Sequence, residues 1–120
     1  MNIIERPLRW SFIILYMGYV YLIEDMNNNT FKIGVTKGDV NKRLKKLQTG
    51  NSTELRVRYQ FQYEYPYRLE SMLHTHYKEE CEMNEWFGLS NPREFLDKCV
   101  EFSDIIDSLK DNPYFNKRLR

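Results

Sequence analysis

Cysteine is scarce in this 120-residue chain. Cys81 and Cys99 are its only two, with no Cys-x-x-Cys pair between them. That is too few for a disulfide framework and points to a reducing compartment, inside the cell rather than secreted. A zinc site from His74, His76, Cys81 and Cys99 lacks the paired ligand spacing of structural zinc modules. Long hydrophobic runs are missing too. The longest apolar stretch, FIILYMGYVYLI at 12–23, is too short to span a bilayer, and no small-residue cleavage site follows it, so no membrane association is expected. Glycine is limited to five residues, and repeats and low-complexity segments are absent. What remains is a single globular domain, rich in aromatics at 15%.

Net charge is +1, but the charge is unevenly placed. Between Lys32 and Arg58 there are eight Lys/Arg against two acids, and between Glu64 and Asp111 twelve acids against five bases. A domain divided in this way can offer a basic face to a polyanion while staying near neutral overall. The same pattern also fits ordinary solvated faces.

Periodicity gives the order of elements. MGYVYLIE (17–24) and FKIGVT (31–36) read as strands joined by an Asn-rich turn, an antiparallel hairpin. In FKIGVT, Phe31, Ile33 and Val35 form the core face, leaving Lys32, Gly34 and Thr36 on the other. Asp39 caps a helix with Val40, Leu44 and Leu47 as its apolar stripe, ending at Gly50. LRVRYQFQYEY (55–65) alternates strictly, which puts Leu55, Val57, Tyr59, Phe61, Tyr63 and Tyr65 on one face. Pro66 opens a helix with Leu69, Met72, Leu73, His76 and Tyr77 as its buried stripe. NEWFGLS (84–90) is a short extended piece. NPRE (91–94) starts a last helix, with Asn91 as cap and Phe95, Cys99, Phe102, Ile106 and Leu109 facing inward. The expected fold is α+β, a three-stranded antiparallel sheet flanked by helices. The domain is expected over 17–110, between an N-terminal extension at 1–16 and a basic C-terminal tail at 111–120.

Five stretches in order, GYVYLI (18–23), FKIGVT, VNKRLKKLQTG (40–50), RLESMLHTHY (68–77) and NEWFGL (84–89), resemble the GIY-YIG nuclease superfamily. The resemblance is closest to its small stand-alone domains from phages and large DNA viruses, whose second motif reads KIG. It implies an endonuclease that hydrolyses DNA phosphodiester bonds with one divalent metal, Mg²⁺ or Mn²⁺. Position by position, it makes Tyr21 the group that activates water, Lys32 the second-motif residue, Arg43 a contact to the scissile phosphate, and Glu70 the metal ligand. His74 completes an E-x-x-x-H pattern one turn after Glu70. Gly34, Thr36, Lys42, Lys46 and Asn84 are candidate substrate contacts. The sequence departs from the pattern at Tyr19, which replaces the first glycine of GIY, and in the register of Asn84.

The chemistry is coherent by itself. Phosphodiester hydrolysis needs a base for water, cations for the developing charge, and a metal at the phosphate. Tyrosine, with an ordinary pKa of about 10, is a weak base unless a neighbouring cation favours the phenolate. Singly, each residue also has an ordinary structural explanation: Tyr21 as a core aromatic, Lys32 and Arg43 as solvated charge, Glu70 and His74 as an i,i+4 pair. A catalytically silent DNA-binding domain is the alternative function. With no appended recognition domain in the sequence, low sequence specificity or a recognition partner protein is expected, and a single active site must act twice, or form a homodimer, to break both strands.

Overall fold

The computed structural model describes residues 17–114; the expected extension at 1–16 and the tail residues 115–120 lie outside the described residues. Among the described residues, five strands and three α-helices follow in the order β1 (Gly18–Asp25), β2 (Thr30–Thr36), α1 (Val40–Thr49), β3 (Leu55–Tyr63), α2 (Pro66–His76), β4 (Cys81–Met83), β5 (Trp86–Phe87) and α3 (Phe95–Leu109). The fold is α+β, and all strand pairs are antiparallel. The sheet has five strands, ordered β3-β1-β2-β5-β4, not the three expected. The two extra strands are the short extended piece NEWFGLS and the residues before it, folded into a hairpin. They are too short to show a period, and they pair only because β2 leaves a free edge.

Both faces of the sheet are covered. On one, Val20, Leu22, Phe31 and Ile33 pack under Leu69 and Leu73 of α2 and Phe95, Cys99, Phe102 and Ile106 of α3. On the other, Tyr21 and Ile23 pack with Val40 and Leu55, supported by Leu44 and Leu47 of α1. The Lys32–Gly34–Thr36 face of β2, expected outside the core, therefore lies under a second layer, and Lys32 is only 8% exposed. Each fully buried Leu, Ile or Phe contributes roughly 1.5–3 kcal/mol, so both layers matter to stability.

Strict alternation in 55–65 does not keep one face. A β-bulge lies where Leu22 pairs with Tyr59 and the next residue, Ile23, pairs with Val57. Leu55 and Val57 thus join the α1 side, whereas Tyr59, Phe61 and Tyr63 join the α2–α3 side. An extra residue in one strand inverts the facing of everything beyond it, which no reading of period two can foresee. The strand ends at Tyr63, and Tyr65 becomes the residue before α2.

The helices form where the apolar spacing put them, with differences at their ends. Asp39 caps α1, its carboxylate accepting from the Asn41 N–H at 2.8 Å. The expected Asn91 cap is not made; Pro92–Glu94 is a 3₁₀ turn, and α3 begins at Phe95. His76, expected in the buried stripe of α2, is on the surface, and Leu109 is 40% exposed. His76 lies at the rim, its ring edge-on to the core residues Phe102 and Tyr77, and Leu109 ends the last turn of α3. Among the described residues no helix is long and apolar enough to cross a membrane.

Candidate active site at the edge of strand β2

The site begins where β5 runs out. Its two residues pair with Phe31 and Lys32, and the next residue, Glu85, only accepts from the Ile33 N–H through its carbonyl, at 3.3 Å. The Ile33 carbonyl is satisfied instead by His74 of α2, whose Nε2 lies 2.9 Å away. A carbonyl can only accept, so Nε2 carries the hydrogen in this bond. The imidazole also stands edge-on to Phe87, 5.1 Å between centroids. His74 thereby ties α2 to the β2 edge.

Around this notch the sheet brings side chains in from both faces. Tyr21 faces Gly34 across the strand pair. Its phenol lies over that glycine: a Cβ on Gly34 would sit 2.6 Å from the Tyr21 Cζ. The space above Gly34, expected as a substrate contact, is therefore filled by Tyr21. Arg43 of α1 donates from Nε to the Tyr21 hydroxyl at 3.4 Å. Tyr21 is 1% exposed while Arg43 is exposed, so the guanidinium connects a buried phenol to the surface. The bond to Tyr21, with the attraction of its phenolate and of Glu85, raises the Arg43 pKa above its ordinary value against the opposing effect of burial.

Lys32 points its ammonium at Glu85, 3.0 Å from Oε2, and lies 5.9 Å from the centre of the Trp86 ring. Glu70 and His74, one turn apart on α2, are 3.9 Å apart. Burial raises the Glu70 pKa; His74 and Lys32 oppose this, and Glu85 adds to it. Glu70, His74 and Glu85 each offer a ligand atom, and these lie within 4.8 Å of one another. The Nε2 hydrogen of His74 is committed to the Ile33 carbonyl, so the two carboxylates are the donors that suit a hard divalent cation, and these residues fit a metal.

Beside the notch is a pocket of about 210 Å³ lined by Thr36, Gly38, Asp39, Lys42, Arg43 and Lys46. Thr36 closes the end of β2, its hydroxyl accepting from the Gly38 N–H at 3.2 Å. The structure thus brings together Tyr21, Lys32, Arg43, Glu70 and His74, and sets Thr36, Lys42 and Lys46 beside Arg43. Asn84 is the residue before Glu85. It is exposed in the β4–β5 turn at φ 56°, where asparagine is favoured for its tolerance of left-handed backbone. Sequence reasoning missed its neighbour Glu85. The only signal available was an acid directly before the aromatic pair Trp86-Phe87, and its meaning depends on those two pairing with β2.

Residues 18–104 match the family described as the T5orf172 domain. The chain belongs to that family. The T5orf172 domain is phage-associated and falls in the GIY-YIG/HNH-like endonuclease class, a family associated with nuclease activity. No curated protein and no solved structure matches the chain. The family match spans every residue of the notch, from Tyr21 to Glu85, and the family suggests a nuclease or DNA-binding role.

Proposed function

We propose that the chain is a metal-dependent endonuclease of the GIY-YIG type, acting on DNA phosphodiester bonds. One observation carries the reading: the phenol–guanidinium pair Tyr21–Arg43 and the Glu70 and Glu85 carboxylates beside His74 meet at the same notch, close enough for Glu85 to act on both Arg43 and Glu70. A packed core aromatic has no need of a guanidinium, and a binding surface for phosphate has no need of two carboxylates.

In this mechanism Tyr21 acts as a phenolate held by the Arg43 guanidinium, and its oxygen takes a proton from the attacking water to become the phenol. As the water oxygen bonds to phosphorus, the bond to the leaving oxygen breaks, and that oxygen takes up a proton from solvent. Arg43 and Lys32 offset the charge that gathers on the non-bridging oxygens. Glu70 would hold Mg²⁺ or Mn²⁺, which when bound polarises the phosphate and stabilises the leaving oxygen. His74 keeps Glu70 in place by fixing α2 to the Ile33 carbonyl. Thr36, Lys42 and Lys46 hold flanking phosphates in the adjoining pocket.

The test is conversion of supercoiled plasmid to nicked circle in Mg²⁺. Wild type nicks, and Glu70→Ala slows nicking by about a hundredfold or more, in line with the loss of a principal charge-stabilising group. Equal conversion by both proteins overturns the enzyme reading. It would favour a silent DNA-binding domain, for which the basic pocket around Lys42, Arg43 and Lys46 is equally suited.

A further inference from the structure

Glu85 has a place in the notch that the nuclease reading does not use. Its side chain is 47% exposed, while that of the lysine it pairs with is only 10% exposed. Its backbone is fixed, because its carbonyl accepts from the Ile33 N–H, whereas its carboxylate stands at the open side of the notch. It can therefore turn without unpacking the β4–β5 hairpin. Glu70 lies on the far side, and the ligand atoms of Glu70, His74 and Glu85 are within 4.8 Å. Two carboxylates this close repel unless a cation lies between them. In this structure Lys32 supplies that cation, bonded directly to Glu85 and acting on Glu70 only through its field.

We propose that Glu85 is a second carboxylate ligand of the divalent cation, and that the Lys32–Glu85 ion pair is the form the site takes before the cation binds. The inference rests on the metal-dependent reading above. It adds an oxygen donor from the β4–β5 hairpin to the Glu70 donor from α2, so the hairpin completes the site. Mg²⁺ prefers oxygen donors and keeps several waters, which agrees with two carboxylates and few other protein groups. When Glu85 turns to the cation, Lys32 is released from its carboxylate and keeps the Trp86 ring at its side. The ammonium is then available to a phosphate oxygen. Lys32 would thus be neutralised until the site is loaded.

The test is titration calorimetry with Mn²⁺ on the full chain without DNA, comparing wild type, Glu70→Gln and Glu85→Gln. Glutamine preserves the shape of the side chain and can still accept from Lys32, and thermal melting without metal checks that each variant is folded. Both substitutions are expected to weaken Mn²⁺ binding by more than about tenfold, the lower limit seen even for groups that only support a ligand. The loss for Glu85→Gln should persist at about 1 M salt, where the screening length falls to about 3 Å and a field effect fades. Unchanged binding by Glu85→Gln alongside weakened binding by Glu70→Gln overturns this inference and leaves the proposed function standing. A loss that disappears at high salt also overturns it. No Mn²⁺ binding by wild type, or binding unaffected by Glu70→Gln, removes the metal-dependent reading and this inference together.

Discussion

At the scale of single residues, Gly34 is the position where fold and chemistry constrain each other most tightly. The glycine is required by the Tyr21 ring lying against it, with Cζ and Cε1 2.6 and 2.9 Å from any added Cβ. The ring cannot retreat, since Tyr21 is 1% exposed and packed with Ile23, Val40 and Leu55. Gly34→Ala is expected to cost about 1–3 kcal/mol, the usual range for overpacking a filled core. It should also move the phenol away from Arg43 and abolish nicking while DNA binding survives. Urea melts, nicking and gel shifts on one preparation check all three; full activity in Gly34→Ala would mean the Tyr21 position is not needed. The glycine was legible in the sequence as a gap on the Lys32 face. Its occupant was not, because Tyr21 and Gly34 become neighbours only through the strand register.

At the scale of elements, the β1–β2 turn shows how a short polar segment is fixed. Asp25 is 5% exposed, and its carboxylate accepts from the Asn27 and Asn28 N–H groups at 3.0 and 3.2 Å and from the Asn28 side-chain amide at 2.9 Å. Burial pushes its pKa up, but the hydrogen bonds from Asn28, Asn27 and Thr53 outweigh burial and hold it below the ordinary 3.8. A carboxyl with a depressed folded-state pKa stabilises the protein above its unfolded value, and that contribution is lost as the pH falls through the folded value. Wild type should therefore lose stability below about pH 4 more steeply than Asp25→Asn, which has no proton to take up there. Urea midpoints measured from neutral pH down into the acid range check this; parallel profiles would show that the turn carboxylate does not contribute. The Asn-rich turn was evident from composition. The β3 bulge and the β4–β5 hairpin were not, because both are decided by pairing between strands distant in the sequence.

At the scale of the whole molecule, part of the basic excess in 32–58 is gathered at one place on the surface. The basic residues Lys42, Arg43 and Lys46 gather on α1 around one pocket beside the notch. If these lysines hold phosphates, each contact releases counterions, and the logarithm of affinity falls with the logarithm of salt in proportion to their number. Substituting both Lys42→Gln and Lys46→Gln should weaken DNA binding across sequences and reduce the salt slope by about 2. Fluorescence anisotropy over a series of salt concentrations checks this; an unchanged slope would place the DNA elsewhere on the surface.

Local periodicity was enough for the sequence to determine three long strands, three helices and most of the residues that each of them buries. These are properties of neighbours along the chain, and side-chain direction repeats with a fixed period there. Motif order likewise pointed to Tyr21, Lys32, Arg43, Glu70 and His74 as one set. Only the tertiary structure decided that a two-residue strand stops short on β2, leaving Ile33 to bond with His74 and setting Glu85 against Lys32. Which backbone groups are left unpaired at a sheet edge is fixed by long-range pairing and register. The notch is built from such groups, so it exists only once the sheet has closed around it.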